Sequence, residues 1–357
     1  MSVLKLNTKP NLDSAKWAFT TRRVEEQDVF GASQNFAGAN SGDLVLAEVV
    51  SIGSHKRSQL AEGRNSTLYV GDKIVLCCGD RYAPDQFEGR GIITGDVCDM
   101  LAGGGLIGKM NHKNDTISEP TQLKPLALLT DKEGEVINIS SYSVEERNAP
   151  EDMTVIGVVG ASMNAGKTTA TVALAYGLKK AGFNVATIKA TGTGAFGDFN
   201  AMLDAGIEHV ADFTDAGMPS TYLQPMETVE RGTASLLADA RLKGAEIAIV
   251  ELADGIYQKE TSKLLTDSTL IDEVFDGFMY ASGDAVSVVG GVEHLRAIGH
   301  DPIAVSGKVS LSPLAVQEAE AETGTKILKK CELEEANIAA SIIAPILQRR
   351  NKLSKAA

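Results

Sequence analysis

The 357-residue chain has no surplus of positive charge: 34 Lys and Arg stand against 47 Asp and Glu, and the formal net charge is −13 at pH 7. Nucleic acids and anionic membranes attract basic surfaces, so this balance predicts neither kind of partner. We interpret the basic stretch 348–352 as the solvated end of a helix.

We expect a small-molecule substrate and a homo-oligomer.

Long apolar runs are also missing. No segment approaches the ~20 apolar residues that a helix needs to cross a bilayer. The first residues, Met-Ser-Val-Leu-Lys-Leu-Asn, lack the charged-then-apolar form of a secretory signal. These absences predict a cytoplasmic protein.

Cysteine is scarce. The four cysteines are Cys77, Cys78, Cys98 and Cys331, and their spacing matches neither a zinc site nor a CxxC motif. We expect reduced thiols in the core rather than disulfides or metal ligands.

An apolar, β-branched strand at Val155–Val159 runs straight into Ala161-Ser-Met-Asn-Ala-Gly166-Lys167-Thr168. This is the P-loop pattern with Ala161 in place of its first glycine, and Gly160 could still supply the tight turn. A helix is predicted over 168–181. Backbone N–H groups at a helix N-terminus bind phosphate, Lys167 would reach the β/γ-phosphates, and Thr168 would ligate Mg²⁺. The cofactors predicted are therefore ATP and Mg²⁺. The predicted cofactor-binding residues are Ala161, Ser162, Asn164, Ala165, Gly166, Lys167, Thr168 and Thr169.

The chain changes character near residue 150. Residues 1–150 read as a small β-rich domain, a barrel or a sandwich, because short strands alternate with turns. The strands expected there are Asp43–Ile52, Leu68–Val70, Lys73–Cys78, Leu126–Leu129 and Glu135–Ile139. The polar loop 79–86 is either a binding loop or a surface turn fixed by Pro84.

Residues 151–357 alternate strands and helices, which predicts a doubly wound parallel sheet forming a P-loop α/β domain. The strands expected there are Val155–Val159, Val185–Lys189, Ile247–Glu251, Gly277–Tyr280, Ile303–Ser306 and Lys326–Leu328. Ligands of such sheets bind at the carboxyl ends of the strands.

Two of these strand ends have residues that could bind a metal or take part in a reaction. Glu251 ends an apolar strand, where a carboxylate is costly unless it is paired or metal-bound. It is either a second Mg²⁺ ligand with Thr168 or a salt-bridged structural acid, and Asp254 either assists or only makes a turn. The loop that begins at Lys189 and reaches Asp198 is rich in Gly and Thr, which allow close approach to a ligand. Lys167, Lys189 and Asp198 are the predicted catalytic residues; the alternative is a flexible loop without a role.

Three further features give weaker evidence for a functional site. The polar loop 212–221 could face the substrate, whereas His209 beside it fits a helix face better than a catalytic base. The loop 306–310 ends a later strand, where a nucleotide base would lie.

The P-loop, the Val250-Glu251 strand end and the loop from Lys189 to Asp198 resemble the dethiobiotin-synthetase-like branch of P-loop proteins. The stretches Ala190-Thr-Gly-Thr-Gly, Asp204-Ala-Gly and Val210-Ala-Asp-Phe look more like a P-loop family with a separate N-terminal domain that includes D-glutamate N-acetyltransferases. The resemblance covers roughly residues 150–330. It implies a parallel sheet with ATP and Mg²⁺ at the strand ends, and it matches Lys167, Thr168 and Glu251 to phosphate and metal positions.

Three functions remain open on the sequence. The first is an ATP- and Mg²⁺-dependent small-molecule enzyme, a transferase of the kinase type or a carboxylate-activating ligase. The second is an amino-acid N-acyltransferase that uses acetyl-CoA. The third is a non-catalytic nucleotide-binding switch.

Overall fold

The computed structural model describes residues 5–6 and 10–354, with side chains described for 10–350. It packs as two compact units. The first extends to Val144 and also contains 192–197 and 213–224. The second comprises 145–191, 198–212 and the chain from Pro225 onwards.

The first unit is built from short strands. They are β1 (Lys5–Leu6), β2 (Lys16–Trp17), β3 (Gly31–Ser33), β4 (Leu44–Ser51), β5 (Arg57–Gln59), β6 (Asn65–Thr67), β7 (Lys73–Cys78), β8 (Phe87–Arg90), β9 (Cys98–Ala102), β10 (Leu106–Lys113) and β11 (Gln122–Thr130). Strand pairing runs β11–β4–β7–β10–β9 and then returns from β9 to β11, so five strands close into a barrel. The predicted β-rich fold of this region is thereby confirmed, and of the two forms expected, barrel and sandwich, the strand pairing is that of a barrel.

The barrel core follows from the two-residue period of its strands. In β4, Val45 and Val49 join one buried apolar cluster while Leu44 and Leu46 join another, so both faces are covered. The first cluster draws residues from all five barrel strands. Cys77 and Cys78 are buried on opposite faces of β7 in the same way.

The second unit holds a six-stranded sheet. Its strands are β12 (Thr154–Gly160), β13 (Val185–Lys189), β14 (His209–Asp212), β15 (Ile247–Glu251), β16 (Gly277–Ala281) and β17 (Pro302–Ser306). Its helices are α1 (Lys167–Lys180), α2 (Phe196–Asp204), α3 (Met226–Leu242), α4 (Lys259–Asp267), α5 (Thr269–Val274), α6 (Ala285–Ala297), α7 (Pro313–Thr323), α8 (Lys330–Leu333) and α9 (Ala336–Ser354).

All neighbouring strands of this sheet are parallel, in the order β14-β13-β15-β12-β16-β17. The predicted doubly wound α/β fold is therefore confirmed. All seven residues of β12 are buried. Leu174 and Leu178 of α1 pack with Ile343 of α9 and the strands in one apolar cluster. Parallel strands bring their carboxyl ends to one edge, so the ends of β12, β13 and β15 lie side by side there.

Several local predictions were wrong. The strand expected at 68–70 is a turn, with Tyr69 N–H donating to Asp72 Oδ2 at 2.7 Å, and the strand lies earlier, in β6. The segment 135–139 makes isolated bridges at Val136 and Asn138 and then enters a 3₁₀ turn. The segment 326–328 likewise makes only a bridge, between Ile327 and Val305.

Two predictions about individual residues also need correction. His209 lies in β14, a short strand at the edge of the sheet that its polar sequence concealed, and not on a helix. Cys331 is exposed, unlike the other three cysteines, because it lies in the short surface helix α8. No helix in the described part of the chain is long and apolar enough to span a membrane.

Hydrogen bonds explain why 192–197 and 213–224 pack in the first unit, although the division at residue 150 placed them in the second domain. Gly194 N–H donates to the Pro219 carbonyl at 3.0 Å, and Phe196 N–H donates to Gln59 Oε1 at 2.7 Å. Arg22 forms an ion pair with Asp215, 2.6 Å between Nη2 and Oδ2.

Candidate functional site

The loop after β12 has the backbone of a phosphate cradle. Gly166 lies immediately before α1 with φ of 109°, and Asn164 has φ of 62°. Both values belong to the left-handed region, which costs a glycine nothing. A Cβ on Gly166 would lie 2.8 Å from Gly307 Cα, so the site requires glycine on steric grounds as well. The loop therefore leads directly into the N-terminus of α1, where unsatisfied N–H groups favour anions.

Gly160 has a different role from the one expected. It is the last residue of β12 and is not among the residues with positive φ, so it makes no left-handed turn. A Cβ there would lie 2.8 Å from Lys167 Cγ and 3.0 Å from the Ala281 carbonyl oxygen. Its missing side chain leaves room for the stem of Lys167 to run along the end of the strand.

Lys167 is 6% exposed, and its Nζ donates to two backbone carbonyls, Ser162 at 2.9 Å and Asp254. Burial lowers the pKa of Lys167, and the nearby Glu251 carboxylate opposes that effect. These contacts hold the ammonium group between the loop and the end of β15.

Thr168, Lys189 and Asp198 form a polar chain. The Thr168 hydroxyl donates to Asp198 Oδ1 at 3.0 Å, and the other oxygen of Asp198 accepts from Lys189 Nζ. Burial alone would lower the pKa of Lys189, but the Asp198 and Glu251 carboxylates outweigh it and raise that pKa. The pKa of Asp198 is lowered, since Lys189 overcomes the opposing effect of burial. Both groups are therefore charged at neutral pH.

Glu251 is 2% exposed, and its Oε1 lies 3.9 Å from Lys189 Nζ. Its Oε2 is buried and has no hydrogen-bond partner among the described residues. Burial raises the pKa of Glu251, and the negative charge of Asp198 adds to the increase. A buried carboxylate oxygen without a donor is costly unless a cation satisfies it.

These residues line one cavity of about 550 Å³. The lining residues predicted from sequence are Asn164, Gly166, Lys167, Thr168, Thr169, Lys189, Asp198, Glu251 and Asp254. The remaining predicted loop residues, Ala161, Ser162 and Ala165, lie in the loop but do not line the cavity.

The segment 306–311 forms another wall of the cavity, together with Lys330. Lys308 N–H donates to the Ala165 carbonyl at 3.2 Å, so this segment packs directly on the P-loop. The sequence predicted residues 306–310 as part of the site, because they lie at the end of a strand. The sequence analysis did not predict Leu311 and Lys330, because no sequence pattern distinguishes a leucine or a helical lysine that lines a pocket from one that does not.

Three expected ligand contacts are absent from the cavity. The Thr191 hydroxyl donates to the Ala253 carbonyl at 2.8 Å and accepts from Ala253 N–H at 2.7 Å, so it ties β13 to the chain after β15. The loop around Asp215 lies in the first unit and does not line the cavity. The loop 79–86 also lies in the first unit, where Arg81 donates to the Leu101 carbonyl and to Gln86.

The cavity residues fit a P-loop magnesium ion. No group of three or more His, Cys, Asp or Glu suited to a metal occurs among the described residues. Mg²⁺ in nucleotide sites, however, is held by one or two protein oxygens together with phosphates and water. Two protein oxygens meet that requirement. Glu251 Oε2 has no hydrogen-bond partner among the described residues, and the Thr168 hydroxyl donates its proton to Asp198 but keeps its lone pairs.

No family model matches the chain, and no curated protein matches it. One similar solved structure is the 54 kDa protein of the signal recognition particle from Aeropyrum pernix K1 in complex with GDP, at 20% identity and a TM-score of 0.37. The match covers 58% of this chain and 51% of that one, about half its length. The P-loop nucleotide-binding fold rests on the sheet order and the loop geometry of this chain.

Proposed function

We propose that the second unit binds ATP with Mg²⁺ and transfers phosphate to a small molecule or activates its carboxylate, as in the dethiobiotin-synthetase-like branch. The observation that carries the proposal is the convergence of Lys167, Lys189, Thr168 and Glu251 on one cavity. Phosphoryl transfer needs positioning and neutralisation of phosphate charge more than covalent chemistry from the protein. Two ammonium groups supply positive charge directly. Thr168 and Glu251 would hold the metal, which would neutralise further phosphate charge.

The distribution of acids around the cavity supports ATP over GTP. Guanine presents N–H donors that a carboxylate accepts well. Three carboxylates line the cavity. Asp198 accepts from Thr168 and Glu251 lies near Lys189, where the metal is proposed, and Asp254 follows Glu251 by three residues. The segment 306–311, which we assign to the base, contains no acid.

Nucleotide binding is tested first, with Lys167→Ala. Removing the ammonium should weaken ATP binding by about 100-fold or more, since a charge-assisted contact to phosphate is lost. Calorimetric titration with ATP and with GTP, in Mg²⁺, measures the loss and the preference for the base. Lys243→Ala is the matched control, because it removes an exposed lysine that pairs with Asp239 on α3. ATP binding by Lys167→Ala equal to that of the wild type would refute the P-loop assignment.

Turnover decides between an enzyme and a switch. ADP release that requires a carboxylic or amino acid acceptor supports the transferase or ligase. The switch has one observation in its favour: the segments 192–197 and 213–224, which follow β13 and β14 in the chain, belong to the first unit. Tight ATP binding without acceptor-dependent turnover would support that alternative.

A further inference from the structure

Lys189, which we propose contacts phosphate, is already paired with acids. It ends β13, and its Cα is in register with that of Glu251 at the end of β15. Its Nζ contacts Asp198 Oδ2 and lies 3.9 Å from Glu251 Oε1. The ammonium thus lies between two carboxylates, both of which line the cavity.

The same two carboxylates surround the proposed metal site. Asp198 accepts from the Thr168 hydroxyl, and Glu251 has the unsatisfied buried oxygen. Opposite charges attract strongly in a partly desolvated site, and a second cation brought to the same acids is repelled by the first. Lys189 and a divalent cation therefore compete for one pair of acids.

We propose that Lys189 is a counter-ion built into the metal site, which neutralises Asp198 and Glu251 until a phosphate group offers its ammonium another partner. The inference rests on the proposed function, since it concerns the same nucleotide site. Phosphate oxygens form charge-assisted hydrogen bonds with an ammonium, so nucleotide releases the acids to the metal. Metal and nucleotide then bind cooperatively, and each raises the affinity of the protein for the other by the same factor.

The test measures Mn²⁺ affinity of the full chain without nucleotide, by electron paramagnetic resonance. Lys189→Met and Lys189→Gln remove the charge and should bind Mn²⁺ at least about fivefold more tightly than the wild type, the lower end of typical coupling between sites. Lys189→Arg keeps the charge and should bind Mn²⁺ as weakly as the wild type. Lys243→Met, which breaks an exposed pair with Asp239, is the matched control and should also match the wild type.

Mn²⁺ affinities of the Met and Gln variants no higher than that of the wild type would overturn the inference. Should both variants fail to fold, the wild type provides a second measurement, the NMR resonance of the Lys189 ammonium. ATP should lower the Mg²⁺ concentration that shifts this resonance, and an equal Mg²⁺ concentration with and without ATP would contradict the inference. Failure of the proposed function is distinguishable, because the wild type would then bind no nucleotide.

Discussion

Among the single residues of the site, Glu251 combines near-complete burial with an oxygen that no described donor satisfies. Burying a charged group without a partner costs stability, so such a residue persists where its charge is used. Lys189 compensates part of the charge from 3.9 Å. A divalent cation would neutralise the negative charge of Glu251 that Lys189 leaves uncompensated.

Glu251→Gln keeps the shape of the side chain and removes its charge. We expect the Mg²⁺ concentration that supports ATP binding to rise by about tenfold or more, as for the loss of a group that supports a metal site. Titration of ATP binding against Mg²⁺ measures the change, and circular dichroism checks the fold. An unaltered Mg²⁺ dependence would make Glu251 a structural acid.

Asp198→Asn removes the negative charge between Thr168 and Lys189. The single-turnover rate should fall on the order of 100-fold, because small misplacements of catalytic groups are that costly, while ATP affinity changes much less. Rapid-quench measurement of ADP, alongside ATP titration, separates the two effects. Equal losses in rate and affinity would place Asp198 on the nucleotide, and no loss in either would remove it from the site.

At the scale of elements, the cavity depends on two loops that pack closely. Gly307 has φ of 97°, and a Cβ there would lie 2.4 Å from the Ala165 carbonyl oxygen. The loop after β17 can therefore lie on the P-loop only with glycine at this position. Just before the P-loop, the missing side chain of Gly160 leaves room for Lys167.

Gly160→Ala tests the fit between β12 and Lys167. The added methyl would displace the lysine stem or the neighbouring Ala281 carbonyl, so ATP affinity should fall by about tenfold, with overpacking costing roughly 1–3 kcal/mol of stability. Gly290→Ala is the control, since a Cβ at that helical position meets nothing within 4 Å. Calorimetry and thermal melting give both quantities; an alanine variant with wild-type affinity would show that the close approach is unnecessary.

At the scale of the whole molecule, the nucleotide cavity is lined entirely by residues of the second unit. The apolar cluster of Ile156, Leu174, Ile249 and Ile343 also lies within that unit. The unit therefore has a core and a candidate site that do not draw on the barrel.

Residues 150–357 expressed alone should consequently unfold cooperatively and bind ATP, because a domain with its own core can fold alone. Thermal unfolding followed by circular dichroism, and ATP titration, check this. The fragment retains 192–197 and 213–224, whose hydrogen-bond partners in the first unit are then missing, so protease should cut there first. A fragment that is insoluble or unfolds without cooperativity would rule out independent folding.

The sequence by itself determined the P-loop, the parallel sheet and the acid at the end of β15. Each depends on neighbours in the chain: a β-branched strand, a Gly-Lys-Thr at the start of a helix, and an apolar run closed by Glu251. Such patterns specify local structure, and parallel strands bring their carboxyl ends together in any sheet of this kind.

Only the tertiary structure decided what the polar loops contact. Thr191 and Asp215 look equally available for a ligand in the sequence, yet Ala253 and Arg22, distant in the chain, supply their partners. Closure of the barrel depends on β9 pairing with both β10 and β11, and Lys189 meets Asp198 and Glu251 only because β13 lies beside β15. Hydrogen bonds and ion pairs between distant segments form wherever the fold brings complementary groups together, and no local pattern encodes that meeting.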